Sequence, residues 1–329
     1  MYIKNNSTVC CLGDGITEQG YWIHDMMNYF ATVEPDDKIK LYNCGIAGTT
    51  AEMAAYYFAD EIMWAKPDYV LIGFGANDIG LKLYGNDTNE EILKKREHCM
   101  NKYKKYLRIV AELIENLGIK VIFAMGYISD IHKENGEYSQ IKTAYDEICE
   151  YNRELAKEFD SDGNNIIDIY DELWKEYERL NAEGKAFFQP DGIHPSRIGH
   201  AVIASATLKA LGYTKNISVD DMLERTPLNA DRFDDERHLR NISFVKWGMF
   251  HPLSKNGSEV DFKVLDRIYE TAEQGMKYRI SDCRRLHDKV NVLRKILVSK
   301  TERLVSAFEP SDEDKKIMSH YAKIILNEK

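Results

Sequence analysis

The sequence predicts an α/β protein, a three-layer α/β/α sandwich on a five-stranded parallel sheet, continued by a helical C-terminal extension. Three observations predict it. Short apolar runs alternate with longer amphipathic stretches through the first two-thirds of the 329 residues. The runs lack the in–out alternation of a half-exposed strand, as befits parallel strands buried on both faces. The alternation stops near Gly212, beyond which no strand–helix–strand unit can be read. Such a β-α-β-α rhythm gives a doubly wound sheet, most simply in flavodoxin-like order.

The strand segments are Thr8–Leu12, Ile39–Tyr42, Tyr69–Phe74, Ile119–Met125 and Asn165–Ile169. Between them, helical periodicity covers Tyr21–Phe30, Thr50–Trp64, Asn89–Leu117, Ile141–Phe159 and Ser196–Leu211. Gly118 follows the third of these as a helix C-cap before the next strand. Residues 1–212 therefore read as one α/β domain and 213–329 as a helical extension, a lid or an oligomerisation element. Within the extension, Cys283, Leu286, Val290, Leu293 and Leu297 alternate spacings of three and four, like a short coiled-coil seam. That seam either packs on the α/β core or pairs two copies as a homodimer. The polar stretch Asp231–Arg240 reads as a connector, and the locally basic Lys277–Arg303 as a solvated helix face.

Composition narrows the partners. The formal net charge is −10, so neither nucleic acid nor an anionic membrane is an expected partner. No stretch approaches 18 apolar residues and the N-terminus runs straight into a strand, which gives a cytoplasmic expectation. Cys10, Cys11, Cys44, Cys99, Cys149 and Cys283 form no CxxC pair and read as reduced, structural thiols. His24, His98, His132 and His200 show no ligand spacing, so no metal is expected. GxGxxG after the first strand and GxxxxGK[ST] are both missing, so no nucleotide cofactor is expected.

Four segments carry candidate chemistry. Leu12–Glu18 follows strand one, Asn43–Thr49 follows strand two, and Gly73–Asp78 follows strand three. Pro190–Pro195 is placed after strand five and before a helix. The C-terminal edge of an open α/β sheet is where ligands bind. Each segment alone reads as a turn, a tight glycine corner or a structural histidine. Together, in this order, they point to a site.

With Gly13-Asp14-Gly15, Asn43 to Gly48, Gly75-Ala76-Asn77-Asp78 and Asp191 to His194, the chain resembles the SGNH, or GDSL-like, hydrolase family over about residues 7–211. That family reads GDS, N-x-x-x-x-G, G-x-N-D and D-x-x-H at these blocks. The resemblance implies that His194 is the general base and that Asp191 orients its imidazole. It implies an oxyanion hole made of the residue 15 N–H, the Gly48 N–H and the Asn77 side-chain amide. Asp14, Asp78, Tyr84 and Tyr127 are candidate substrate-binding residues. Tyr21, Trp22, Tyr84, Tyr127, Phe187 and Phe188 either stack on a sugar, line an acyl slot or pack in the core.

The departure is Gly15, which stands where the family has its nucleophilic serine. Glycine has no oxygen with which to form an acyl-enzyme. Three readings stay open: an engineered trap, a natural pseudoenzyme that binds without cutting, or a site where His194 activates water directly. The leading function is a carboxylic-ester hydrolase scaffold for O-acylated small molecules or sugars, nearly inactive in this form. The alternatives are a glycan- or ester-binding pseudo-hydrolase and a lipid or lysophospholipid esterase.

Overall fold

Parallel strands joined by crossover helices order the protein. The computed structural model describes residues 3–62, 65–84, 89–131 and 138–224; residues 56, 57, 60 and 138–140 are described by backbone alone. The strands are β1 (Thr8–Gly13), β2 (Lys40–Gly45), β3 (Tyr69–Gly73), β4 (Lys120–Met125) and β5 (Ile166–Asp168). All neighbouring pairs are parallel, in the order β2-β1-β3-β4-β5. This is the flavodoxin-like order expected from the rhythm of the sequence.

The helices are α1 (Gly15–Gln19), α2 (Tyr21–Thr32), α3 (Ala51–Ile62), α4 (Glu90–Asn116), α5 (Tyr138–Phe159), α6 (Tyr170–Ala182), α7 (Arg197–Ala210) and α8 (Val219–Glu224). α3, α4 and α5 pack side by side, and α2, α6 and α8 pack on α7, giving the two outer layers. The sheet between them is dry. Val9, Cys10, Cys11 and Leu12 of β1 and Val70 and Ile72 of β3 are at most 2% exposed, which is why these runs show no alternation.

Local sequence fixes the helix ends. Asn89 caps α4 by accepting the Ile92 N–H at 3.0 Å, and Glu90–Lys94 and Glu91–Lys95 pair along its first turns. Ser196 caps α7 through the Gly199 N–H at 3.2 Å. Cys10, Cys11, Cys44 and Cys149 are buried and Cys99 is partly buried, and no disulfide joins them among the described residues. The coiled-coil seam with Cys283, the Asp231–Arg240 connector, the basic Lys277–Arg303 stretch and almost all of the extension lie outside the described residues.

One expected placement is corrected. Pro190–Pro195 does not follow the fifth strand directly, because α6 intervenes between β5 and that segment. The segment is instead tied back to the top of the sheet. The N–H of Asp130, just past β4, and the Ser129 hydroxyl both donate to the Gly192 carbonyl, at 3.1 and 2.8 Å.

Candidate active site

The four segments converge at the C-terminal edge of the sheet. β1 ends in Gly13, and Asp14 then caps α1 by accepting the Ile16 N–H at 3.1 Å. Gly15 is thereby the first residue of a helix, with its amide among the unsatisfied N-terminal donors of α1.

The His194 loop is built around one carboxylate. Asp191 Oδ1 accepts the backbone N–H groups of Ile193 and His194, both at 2.9 Å. Its Oδ2 takes the ring Nδ1 of His194 at 2.6 Å. Burial alone raises the Asp191 carboxyl, but the bonds from the His194 ring and the two backbone N–H groups outweigh it and hold the group below its usual range. The imidazole is thus oriented with Nε2 at its free end. A Cβ built on Gly15 falls 3.3 Å from that Nε2 and 3.7 Å from Ala47 Cα.

Gly48 follows Ala47, whose Cα and Cβ both lie 3.7 Å from that Cβ point. Its φ is +74°, and a Cβ added there would meet nothing within 4 Å, so glycine is held here by backbone conformation rather than by crowding. Asn77 is solvent-exposed, and its Nδ2 donates to the Thr49 carbonyl at 3.0 Å, which ties the third loop to the second. One N–H of that amide remains for a ligand.

The side chains of Asn43, from the second motif block, and of Glu18, which carries no motif, hold the Gly48 loop against α1. Asn43 donates to the Thr17 carbonyl at 2.6 Å, and the Ala47 N–H donates to Glu18 Oε2 at 2.7 Å. The Ile46 N–H reaches the Gly13 carbonyl at 3.0 Å. Glu18 was not singled out by the sequence; its only signal there is its place three residues after Gly15, one helical turn on.

The substrate-facing role expected of Asp14, Asp78, Tyr84 and Tyr127 does not fit their placement. Asp14 is 1% exposed and spends one oxygen on the α1 cap. Asp78 accepts the Ala51 N–H at 2.8 Å and so holds the start of α3. The other oxygen of each is buried and receives no hydrogen bond among the described residues. Burial pushes both carboxyls up to about 7, and for Asp14 the neighbouring Asp78 adds to the rise. The Tyr127 hydroxyl donates to the Gly73 carbonyl inside the core. Tyr84 is buried under the Arg96 guanidinium, 4.4 Å from its ring centre.

The aromatic residues divide in the same way. Trp22, Tyr127, Phe187 and Phe188 line an apolar pocket of about 50 Å³ with Ile16 and Pro195. Tyr21, at 44% exposure, is the one large aromatic presented to solvent among the described residues. No group of three metal-ligating side chains occurs among the described residues, and no described helix is long and apolar enough to cross a membrane.

A strand-end turn opening a short helix, two further loops offering amide donors and a carboxylate–imidazole pair aimed at one point define an ester-hydrolase type of site. Residues 11–202 match the model of the GDSL-like Lipase/Acylhydrolase family. The chain belongs to that family, with the SGNH fold its motifs resemble. It is similar to an acetylxylan esterase from Geobacillus stearothermophilus, 22% identical over 228 residues, which are 65% of this chain and 97% of that protein. A solved structure of a catalytic mutant of that acetylxylan esterase has a TM-score of 0.52 at 21% identity, covering 65% of this chain and 98% of the other. A gut microbial diltiazem-metabolizing enzyme has a TM-score of 0.64 at 16% identity, over 98% of this chain and 95% of its own. At these identities the structures speak for the fold alone.

Proposed function

We propose that this protein is a carboxylic-ester-recognising SGNH hydrolase scaffold, directed at O-acetyl groups on sugars, in which the nucleophile is missing. The observation that carries the proposal is the 3.3 Å between His194 Nε2 and the Cβ point of Gly15. In a serine form the hydroxyl would pass its proton to Nε2 and attack an ester carbonyl. The amides of residue 15, Gly48 and Asn77 would take the developing negative charge. Asp191 would hold the imidazolium. With glycine the donors and the base remain, the acyl-enzyme cannot form, and the site binds esters with turnover reduced by about 10⁶-fold, as in another hydrolase stripped of its nucleophile.

The acetylated-sugar reading is supported by the acetylxylan esterase among the relatives and by the exposed ring of Tyr21, which packs on His200. The test is Gly15→Ser assayed with p-nitrophenyl acetate. A gain of at least about 10³-fold over the glycine form supports the scaffold, since removing a nucleophile costs about 10⁶-fold in another serine hydrolase. Equal, background-level rates in both forms would reject it.

A further inference from the structure

Ester cleavage divides a substrate in two, and different groups of the site serve the two halves. The acyl oxygen must face the amide donors, at Gly48 and Asn77. The leaving alcohol must lie against His194, because the imidazole returns its proton to the leaving oxygen. Whatever recognises the alcohol therefore stands on the His194 side.

That side carries a chain of hydrogen bonds that ends against an aromatic ring. The Gln189 N–H donates to the His194 carbonyl at 2.8 Å. The Gln189 side chain donates to the Pro195 carbonyl at 3.1 Å and reaches Gln19 Oε1 at 3.4 Å. His200 Nε2 donates to the same Gln19 oxygen at 3.0 Å. The buried His200 ring in turn packs against Tyr21, with centroids 5.4 Å apart. Burial, with help from Arg197 and His194, lowers the His200 pKa to about 3, so the ring is neutral, with its proton on Nε2 facing Gln19. Arg197 lies 5.9 Å from the Tyr21 ring centre and is itself fixed by two bonds to buried Asp25, at 2.6 and 2.7 Å. An aromatic held in place and exposed, next to planar amides, suits a sugar: C–H groups of one face stack on the ring and equatorial hydroxyls meet the amides.

We infer that Tyr21, flanked by Gln19 and Gln189, is the shelf that receives the sugar ring of the leaving alcohol. This rests on the ester reading above and adds the residue that selects a sugar alcohol over a simple one.

The test uses Gly15→Ser, alone and with Tyr21→Ala or Tyr21→Phe, on two esters: methyl tri-O-acetyl-β-xyloside and methyl acetate. The readout is the ratio of their kcat/KM values, in which any general loss of folding or catalysis cancels. Tyr21→Ala should lower the sugar-to-methyl ratio roughly fivefold, the scale of one aromatic contact, and Tyr21→Phe should retain most of it. A ratio unchanged in Tyr21→Ala overturns the shelf. If Gly15→Ser turns over neither ester, the ester reading fails and the shelf is judged by calorimetric titration of the unaltered protein with xylotriose. Weakening of Kd by Tyr21→Ala upholds it. Equal affinity, or no binding by the unaltered protein, overturns it.

Discussion

His194 Nε2 stands 3.3 Å from the point where a Cβ on Gly15 would lie, slightly closer than most side chains allow a Cβ to approach. The imidazole has not drifted into the space that a hydroxymethyl group would fill. It is held off by Asp191, which fixes both the ring and the loop that carries it. The consequences of that arrangement can be tested piece by piece.

The first concerns Asp191. In the Gly15→Ser background, Asp191→Asn should lower kcat by about 10⁴-fold, because an amide favours the wrong tautomer of the imidazole. Steady-state kinetics with p-nitrophenyl acetate would measure it, and a loss below tenfold would remove Asp191 from the role.

The second concerns Glu18, whose carboxylate accepts the Ala47 N–H at 2.7 Å and so sets the loop that presents the Gly48 amide. Glu18→Ala in the Gly15→Ser background should cost about tenfold in kcat with KM nearly unchanged, since a misaimed donor is felt in the transition state. Glu18→Gln keeps an accepting oxygen and should recover most of the rate. A rise in KM alone would contradict this positioning role.

The third is a dependence of stability on pH. Asp14 and Asp78 have folded-state pKa values of about 7 against an ordinary 3.8. Between those values the folded protein keeps protons that the unfolded chain has released. Their contribution to stability is therefore greatest at acid pH and declines as the pH rises through 7. Asp78→Asn preserves an oxygen for the Ala51 N–H and removes one of the two titrations. Its melting temperature should fall less steeply than that of the unaltered protein between pH 4.5 and 7.5. Parallel melting curves across that range would show that Asp78 is not held protonated.

Much of this was legible in the sequence, for physical reasons. The β1, β3 and β4 runs are covered on both faces, so their apolar character shows without alternation. α4 announces itself through its length, its Asn89 cap and its Glu–Lys pairs. α1 has five residues, too few for any periodicity. α6 does carry helical spacing, in Tyr170, Leu173, Trp174, Tyr177 and Leu180, but it lies among charges where an apolar strand–helix rhythm is faint. Residues named by motif, Gly15, Gly48, Asn77, Asp191 and His194, are brought to one edge of the sheet. Those without a motif, Glu18, Gln19, Gln189 and His200, acquire their partners from 29, 170 and 181 positions away and leave no local trace. Whether an aromatic is shelf or core is also decided by tertiary packing: Tyr21 and Trp22 are neighbours in sequence, yet one is 44% exposed and the other 6%.

The most direct measurement of convergence at residue 15 is covalent labelling. Gly15→Ser treated with a fluorophosphonate should gain one adduct on the peptide containing residue 15, seen by mass spectrometry, and adding His194→Ala should abolish it. No adduct, or an adduct that forms equally well without the imidazole, would contradict the account.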